Sequence, residues 1–197
     1  MEADADNISA VQPWVALGIN QIGEVLNLLG EEAMIDFEYS AEVTINASPQ
    51  AIFDIVSNPA RHVELAGSDE INTMRQEPSG SVGPGTKMLA EETVKMADGS
   101  GMDLTAENIV VTFDSPNSFS WIVNPSLPEQ VRRMQWWFRM TPEGSGTKVT
   151  HEVEVDWGNI THEMLVGLRD NYEQVRAGVV RSGMDKTVAN LKKMAEG

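Results

Sequence analysis

The chain has 197 residues, of which 41% are hydrophobic, and it contains no cysteine. This length and composition predict one sizeable globular domain, and the lack of cysteine excludes disulfides, thiolate metal sites and thiol nucleophiles. Its 30 acidic and 14 basic residues give a formal net charge of −16, which argues against binding to nucleic acid.

The N-terminal segment predicts neither a signal peptide nor a membrane span. Acidic residues at Glu2, Asp4 and Asp6 are the opposite of the basic start of a signal peptide. No run of roughly 18 apolar residues is present in the chain. Together with the lack of cysteine, these features predict a cytoplasmic location.

Residues 1–34 form the first predicted unit, an acidic tail followed by an amphipathic helix over residues 13–29. Pro13 stands at the first helical position and Gly30 lies just past the end of the helix. Its apolar face can dock on the same chain, cover a pocket as a lid, or pair two chains in a homodimer. The sequence leaves these three alternatives open.

Residues 35–197 form the second predicted unit, and strict alternation of apolar and polar residues over 35–47 predicts its first strand. Ser48-Pro49 and Asn58-Pro59 then predict two short helices in succession. Six further strands are predicted over residues 71–76, 86–96, 103–113, 119–123, 132–141 and 148–157.

The last third of the chain predicts one long amphipathic helix over residues 161–196, because apolar residues recur at steps of three and four. This predicted stripe contains Leu165, Leu168, Tyr172, Val175, Val179, Val180, Met184, Val188, Leu191 and Met194. Gly167, Gly178 and Gly183 interrupt the helix and indicate a bend or close packing, with a functional hinge as the alternative.

The order of these elements predicts an α+β fold. A seven-stranded antiparallel sheet with one apolar face needs a cover, and the long C-terminal helix supplies it. Because such a sheet twists and curls, the helix contacts only part of it, and the remaining gap becomes a cavity. The two short helices after strand 1 and the N-terminal helix complete the predicted architecture.

Several short stretches, in this order, resemble the START-like, or helix-grip, superfamily over residues 39–196. They are VTINASPQAIF (43–53), DSP (114–116), FSW (119–121), GTKVTH (146–151) and the segment 183–192. Residues 58–62 and Gly67-Ser68 resemble the bacterial polyketide cyclase/dehydrase branch of the superfamily in particular. The resemblance implies a helix-grip fold with a hydrophobic small molecule held between the sheet and the C-terminal helix.

Polar residues that point into this cavity are the candidates for chemistry. Alternation places His151 and Glu92 on inward faces of their strands, and His62 lies on the second short helix, at the cavity mouth. Histidine titrates near neutrality, and burial among methionines raises the pKa of a carboxyl group, so all three are candidate general acids or bases. The alternative is that each histidine satisfies one backbone group and that Glu92 lies in water.

The remaining candidate residues form a predicted apolar lining, with core packing as the alternative for most of them. They are Tyr39, Met88, Trp121, Met134, Trp136, Phe138, Tyr172, Val175 and Val179. The three histidines show no metal-ligand spacing, so neither a metal site nor a cofactor is predicted.

The sequence therefore predicts a polyketide cyclase/dehydrase-like protein that binds a hydrophobic small molecule, with turnover by general acid–base catalysis left open. One alternative is a non-catalytic carrier or sensor of a lipid or an isoprenoid-like ligand. Another is an assembly protein in which residues 13–29 pair two chains.

Overall fold

A computed structural model of the chain describes residues 34–197. The predicted helix over residues 13–29 lies outside the described residues, and so does the homodimer seam predicted for it. The division of the chain into residues 1–34 and 35–197 stays a prediction.

Seven antiparallel strands form one sheet in the order β1-β7-β6-β5-β4-β3-β2, as the alternation predicted. The strands are β1 (Phe37–Ile45), β2 (Ile71–Glu77), β3 (Lys87–Lys95), β4 (Gly101–Asp114), β5 (Ser118–Pro125), β6 (Arg133–Glu143) and β7 (Gly146–Asp156). Strands β2 to β7 form a meander of hairpins, whereas β1 and β2 lie at opposite edges of the sheet. The segment between β1 and β2 must therefore cross from one edge to the other.

Short helices make this crossing, and each begins where the sequence predicted. They are α1 (Pro49–Val56), a 3-10 turn (Pro59–Arg61) and α2 (His62–Leu65). Ser48 Oγ accepts a hydrogen bond from the Ala51 N–H at 3.2 Å, which caps α1. Asn58 Oδ1 accepts from the Ala60 N–H at 3.1 Å and caps the 3-10 turn.

One face of the sheet is apolar and carries the core. Along β7, alternate residues Val149, His151 and Val153 are buried. Helix α1 packs on one end of this face through Phe53, whose ring lies 5.0 Å from that of Phe113 in an edge-to-face arrangement. Burial at every second position is the physical reason that alternation in the sequence identified the strands.

The C-terminal helix contains a π-helical turn that changes which residues face the sheet. Its parts are α3 (Glu163–Asp170), the π-helical turn (Glu173–Ala177) and α4 (Gly178–Glu196). A π turn adds one residue to the helical repeat, so the residues after it are rotated relative to a regular helix. On the side of the helix that faces the sheet, Tyr172 is followed by Ala177 and then by Val180. The structure thus corrects the predicted stripe at Val175 and Val179, which are only half-buried.

Helix α4 is held against the loop between α2 and β2 by a very close approach of two glycines. The Gly67 N–H donates to Thr187 Oγ1 at 2.9 Å. A Cβ atom on Gly67 would lie 2.5 Å from the carbonyl oxygen of Gly183, and one on Gly183 would lie 2.9 Å from Ser68 Cβ. Either position would need a backbone shift to accept a side chain. Gly183 therefore serves close packing, as the sequence indicated.

The helices of residues 34–197 are not membrane spans. None of them combines the length and the apolar character that crossing a bilayer requires.

Candidate ligand-binding cavity

A cavity of about 190 Å³ lies between the inner face of the sheet and the C-terminal helix. For comparison, an engineered apolar cavity of about 150 Å³ holds a benzene molecule. The wall is mostly apolar, with side chains from β3 to β7 on one side and from α3, the π turn and α4 on the other. A cavity of this kind suits a small hydrophobic ligand.

Most of the residues predicted from the sequence lie on the wall of this cavity. They are His62, Glu92, Trp121, Met134, Trp136, Phe138, His151 and Tyr172. Tyr172 packs its ring 4.9 Å from that of Phe37, and burial raises the pKa of its phenol to about 12. The Tyr172 side chain is therefore a neutral hydrogen-bond donor at any physiological pH.

Four predicted lining residues lie elsewhere. Tyr39 donates from its hydroxyl to the Asp185 carboxylate at 2.9 Å, outside the cavity. Met88 is fully buried in the core around Phe53 and Phe119. Val175 and Val179 leave the wall because the π turn rotates them away from it.

His62 provides a hydrogen-bond donor for a backbone carbonyl group at the C-terminal end of α1. Its Nε2 lies 2.8 Å from the carbonyl oxygen of Val56, the last residue of that helix. Since a carbonyl can only accept, Nε2 must carry the proton and Nδ1 is left with a free lone pair. Burial lowers the pKa of His62, and the bond to Val56 only partly opposes this effect. The ring is therefore neutral at pH 7.

His151 has the same arrangement with the nitrogens exchanged. Its Nδ1 lies 2.9 Å from the carbonyl oxygen of Trp137, so Nδ1 carries the proton and Nε2 has the free lone pair. The ring stacks on Phe138, its cross-strand neighbour in β6, at a centroid distance of 4.1 Å. Burial lowers the pKa of His151 to about 4. Burial thus favours the neutral form of both cavity histidines.

Glu92 is the acidic residue of the cavity wall that is not paired with an arginine. It lies on β3 opposite Ile71, and none of the described residues forms a hydrogen bond with its carboxyl group. Burial, helped by the negative charge of Glu70 and opposed by the positive charge of Arg176, raises the pKa of Glu92 to about 7. A carboxyl group with this pKa can give or take a proton at neutral pH.

A buried ion pair stands beside Glu92. The guanidinium of Arg176 donates two hydrogen bonds to the carboxylate of Glu70, one of them from Nη2 to Oε2 at 2.9 Å. Arg176 also donates to the Lys95 carbonyl oxygen at 2.8 Å, while the Ala97 N–H donates to the Val175 carbonyl oxygen at 2.8 Å. These contacts come from the β2–β3 side, and they hold the π turn in place and keep the Arg176 side chain in the cavity wall.

The polar wall residues that sequence reasoning missed include Glu70, Arg176 and Asn108. The sequence spacing of Asn108 and Arg176 could have identified these two as inward-facing residues. Asn108 alternates with the buried residues Ala106 and Val110 on β4, and Arg176 lies four residues from both Tyr172 and Val180. Glu70 lies in a short aperiodic segment just before β2, and nothing in the sequence distinguishes it from neighbouring acidic residues.

The part of the chain that the structure describes contains no group of three histidine or acidic side chains arranged to hold a metal ion.

A single family model matches nearly the whole part of the chain that the structure describes. Residues 36–196 match the model of the family described as polyketide cyclase / dehydrase and lipid transport. No curated protein matches the chain in sequence.

Solved structures share the fold at low sequence identity. Ginseng major latex-like protein 151 from Panax ginseng superposes with a TM-score of 0.59 at 10% identity, covering 82% of this chain and 98% of that chain. The di-domain ARO/CYC protein BexL from the BE-7585A biosynthetic pathway gives 0.56 at 16% identity, covering 93% of this chain and 60% of that chain. Protein Ms6760 from Mycobacterium smegmatis gives 0.53 at 14% identity, covering 83% and 94%. The predicted helix-grip fold is confirmed.

Proposed function

Because the chain belongs to the polyketide cyclase / dehydrase and lipid transport family, we propose that it binds a hydrophobic small molecule in the cavity between the sheet and the C-terminal helix. The observation that carries this proposal is the cavity of about 190 Å³, whose wall is mostly apolar but includes a few polar groups. Such groups orient a ligand that the apolar wall holds. The cytoplasmic location and the homodimer through residues 13–29 stay predictions.

Native mass spectrometry of the purified protein, followed by denaturing extraction, tests the binding function. We expect a co-purifying hydrophobic compound at close to one molecule per chain. Met184 is 2% exposed and lies on the cavity wall, so Met184→Trp should fill the space and lower ligand occupancy by roughly tenfold or more. Met164 is 43% exposed on α3 and off the wall, so Met164→Trp is the matched control and should keep the ligand.

An empty protein that also fails to bind a panel of hydrophobic dyes would refute ligand binding. Equal occupancy in Met184→Trp and wild type would show instead that the compound is held outside this cavity.

A second candidate function is proton transfer to the bound ligand, and the pKa of Glu92 near 7 favours it. In this reaction the Glu92 carboxylate removes a proton from the carbon next to a ligand carbonyl, and the resulting carboxylic acid returns a proton to the same carbon. Such a step is general acid–base catalysis of the kind that a cyclase or a dehydratase uses.

Exchange of carbon-bound protons in D₂O tests this second function. With 2-tetralone, a bicyclic ketone, we expect wild-type protein to accelerate the α-proton exchange followed by NMR, and the rate to rise with pH through about 7. Glu92→Gln should return the rate to that of buffer. Glu91 is exposed beside Glu92, so Glu91→Gln is the control and should exchange like wild type. Acceleration that survives in Glu92→Gln would exclude Glu92 as the catalytic group.

A further inference from the structure

Two buried histidines converge on one group of aromatic rings in the cavity. His62 and His151 are 3% and 4% exposed, and both line the cavity wall. Their ring centroids lie 5.4 Å and 6.5 Å from that of Trp121, which stands between them. The two imidazoles come from different elements, α2 and β7, so the fold rather than the local sequence brings them together.

Each of these histidines leaves one ring nitrogen unused. Nε2 of His62 and Nδ1 of His151 are committed to backbone carbonyls. The other two nitrogens form no hydrogen bond with residues 34–197. Among the described residues, Nε of Arg133 is the only fully occluded side-chain nitrogen or oxygen without a partner. The free nitrogens of His62 and His151 therefore still reach open space, and for residues this deeply buried that space is the cavity.

Both free nitrogens are acceptors. A ring that donates from one nitrogen and is neutral carries a lone pair on the other. Burial favours the neutral form of both rings, and each positive charge would also disfavour the other. The cavity thus presents two hydrogen-bond acceptors among aromatic faces, away from the Glu92 and Arg176 groups. Strands β4, β5 and β6 separate the β7 strand of His151 from the β3 strand of Glu92.

We propose that Nδ1 of His62 and Nε2 of His151 form a subsite in which one of these two nitrogens accepts the hydrogen bond from a hydroxyl group of the ligand. This inference rests on the proposed binding function and adds the chemical class of the ligand: a hydrophobic body that carries an alcohol or a phenol. A ligand without a donor at this point leaves both acceptors unpaired in a dry cavity, which weakens its binding.

Two probes that share the naphthalene ring system and differ at one oxygen substituent test the subsite on the wild-type protein. One is 2-naphthol, which carries a donor, and the other is 2-methoxynaphthalene, in which the donor is replaced by an ether. Calorimetric titration should give 2-naphthol an affinity about tenfold higher, the factor that one hydrogen bond of about 1.4 kcal/mol supplies. This comparison needs no variant and so cannot fail through misfolding.

Nitrogen-15 NMR of protein labelled on histidine gives the direct readout. The chain has three histidines, and His162, which is exposed at the start of α3, is the internal control. Binding of 2-naphthol should shift the unprotonated nitrogen of His62 or of His151, whichever accepts the hydroxyl proton, and leave His162 unchanged, whereas 2-methoxynaphthalene should not produce this shift. Met164→Trp, which changes an exposed residue off the wall, should keep the preference for 2-naphthol.

The outcomes separate the two proposals. Equal affinity for the two probes, or 2-naphthol binding with a shift at neither His62 nor His151, overturns the subsite and leaves ligand binding intact. If neither probe binds, the proposed binding function is refuted for compounds of this size. The proposed subsite is then refuted as well.

Discussion

Arg176→Met is expected to lower the free energy of unfolding by about 3–5 kcal/mol, because it leaves a buried carboxylate without its partner. The side chains of Arg176 and Glu70 are only 14% and 9% exposed. The Lys95 N–H would still donate to Glu70 at 2.7 Å, but one backbone hydrogen bond does not replace a guanidinium. Urea unfolding monitored by tryptophan fluorescence measures the loss.

A second ion pair on the same helix is the matched control. Arg181 and Glu173 also form two hydrogen bonds, at 2.8 and 2.7 Å, but their side chains are 38% and 61% exposed. Arg181→Met should therefore cost less than about 1 kcal/mol. Arg176→Met combined with Glu70→Gln should recover most of the stability, since the neutral amide still accepts from Lys95. Equal, small losses for the two arginine variants would contradict the assignment of Arg176 as a buried structural cation.

Glu92→Gln is expected to raise the free energy of unfolding at pH 8 by on the order of 3 kcal/mol. The pKa of Glu92 is about 7 in the folded protein and 4.5 in the reference state, so the folded chain binds the proton more tightly. The stabilisation from this proton is complete below about pH 4.5 and is lost as the pH rises through about 7. Glutamine resembles the protonated acid at every pH and removes this loss.

The measurement is the difference between the wild-type and Glu92→Gln unfolding free energies from pH 4 to pH 8. Taking the difference matters because His62 and His151 act in the opposite direction: burial lowers their pKa values, so protonating them on acidification destabilises the fold. The two curves should meet near pH 4 and diverge with rising pH. Glu91→Gln is the control, and its unfolding free energy should follow that of the wild type at every pH. If the difference between Glu92→Gln and wild type were the same at every pH, the raised pKa of Glu92 would be disproved.

The strands and short helices could be predicted because their causes are local. Alternation along β7 reflects burial at every second residue, and it placed His151 on the inner face before any partner was known. Ser48-Pro49 and Asn58-Pro59 specify their helix starts through capping bonds that span only three residues or fewer.

The polar part of the cavity could not be predicted in the same way, because its causes are long-range. Arg176 is held facing inward by its hydrogen bonds to Glu70 and to the Lys95 carbonyl oxygen, on the opposite side of the cavity. Glu70 lies 106 positions from Arg176 in the chain. Helical periodicity alone instead selected Val175 and Val179, which would be correct for a regular α-helix.

The close approach of Gly67 and Gly183 has a consequence for the order of folding. The bond from Gly67 to Thr187 joins residues 120 positions apart, and α4 follows every strand in the chain. During synthesis the apolar face of the sheet is therefore complete before its cover exists, and contacts over such separations form slowly. The cavity can close only once α4 has docked on the sheet. A ligand that binds only the form with α4 docked shifts the docking equilibrium of α4 towards that form. Such a ligand therefore favours completion of the fold.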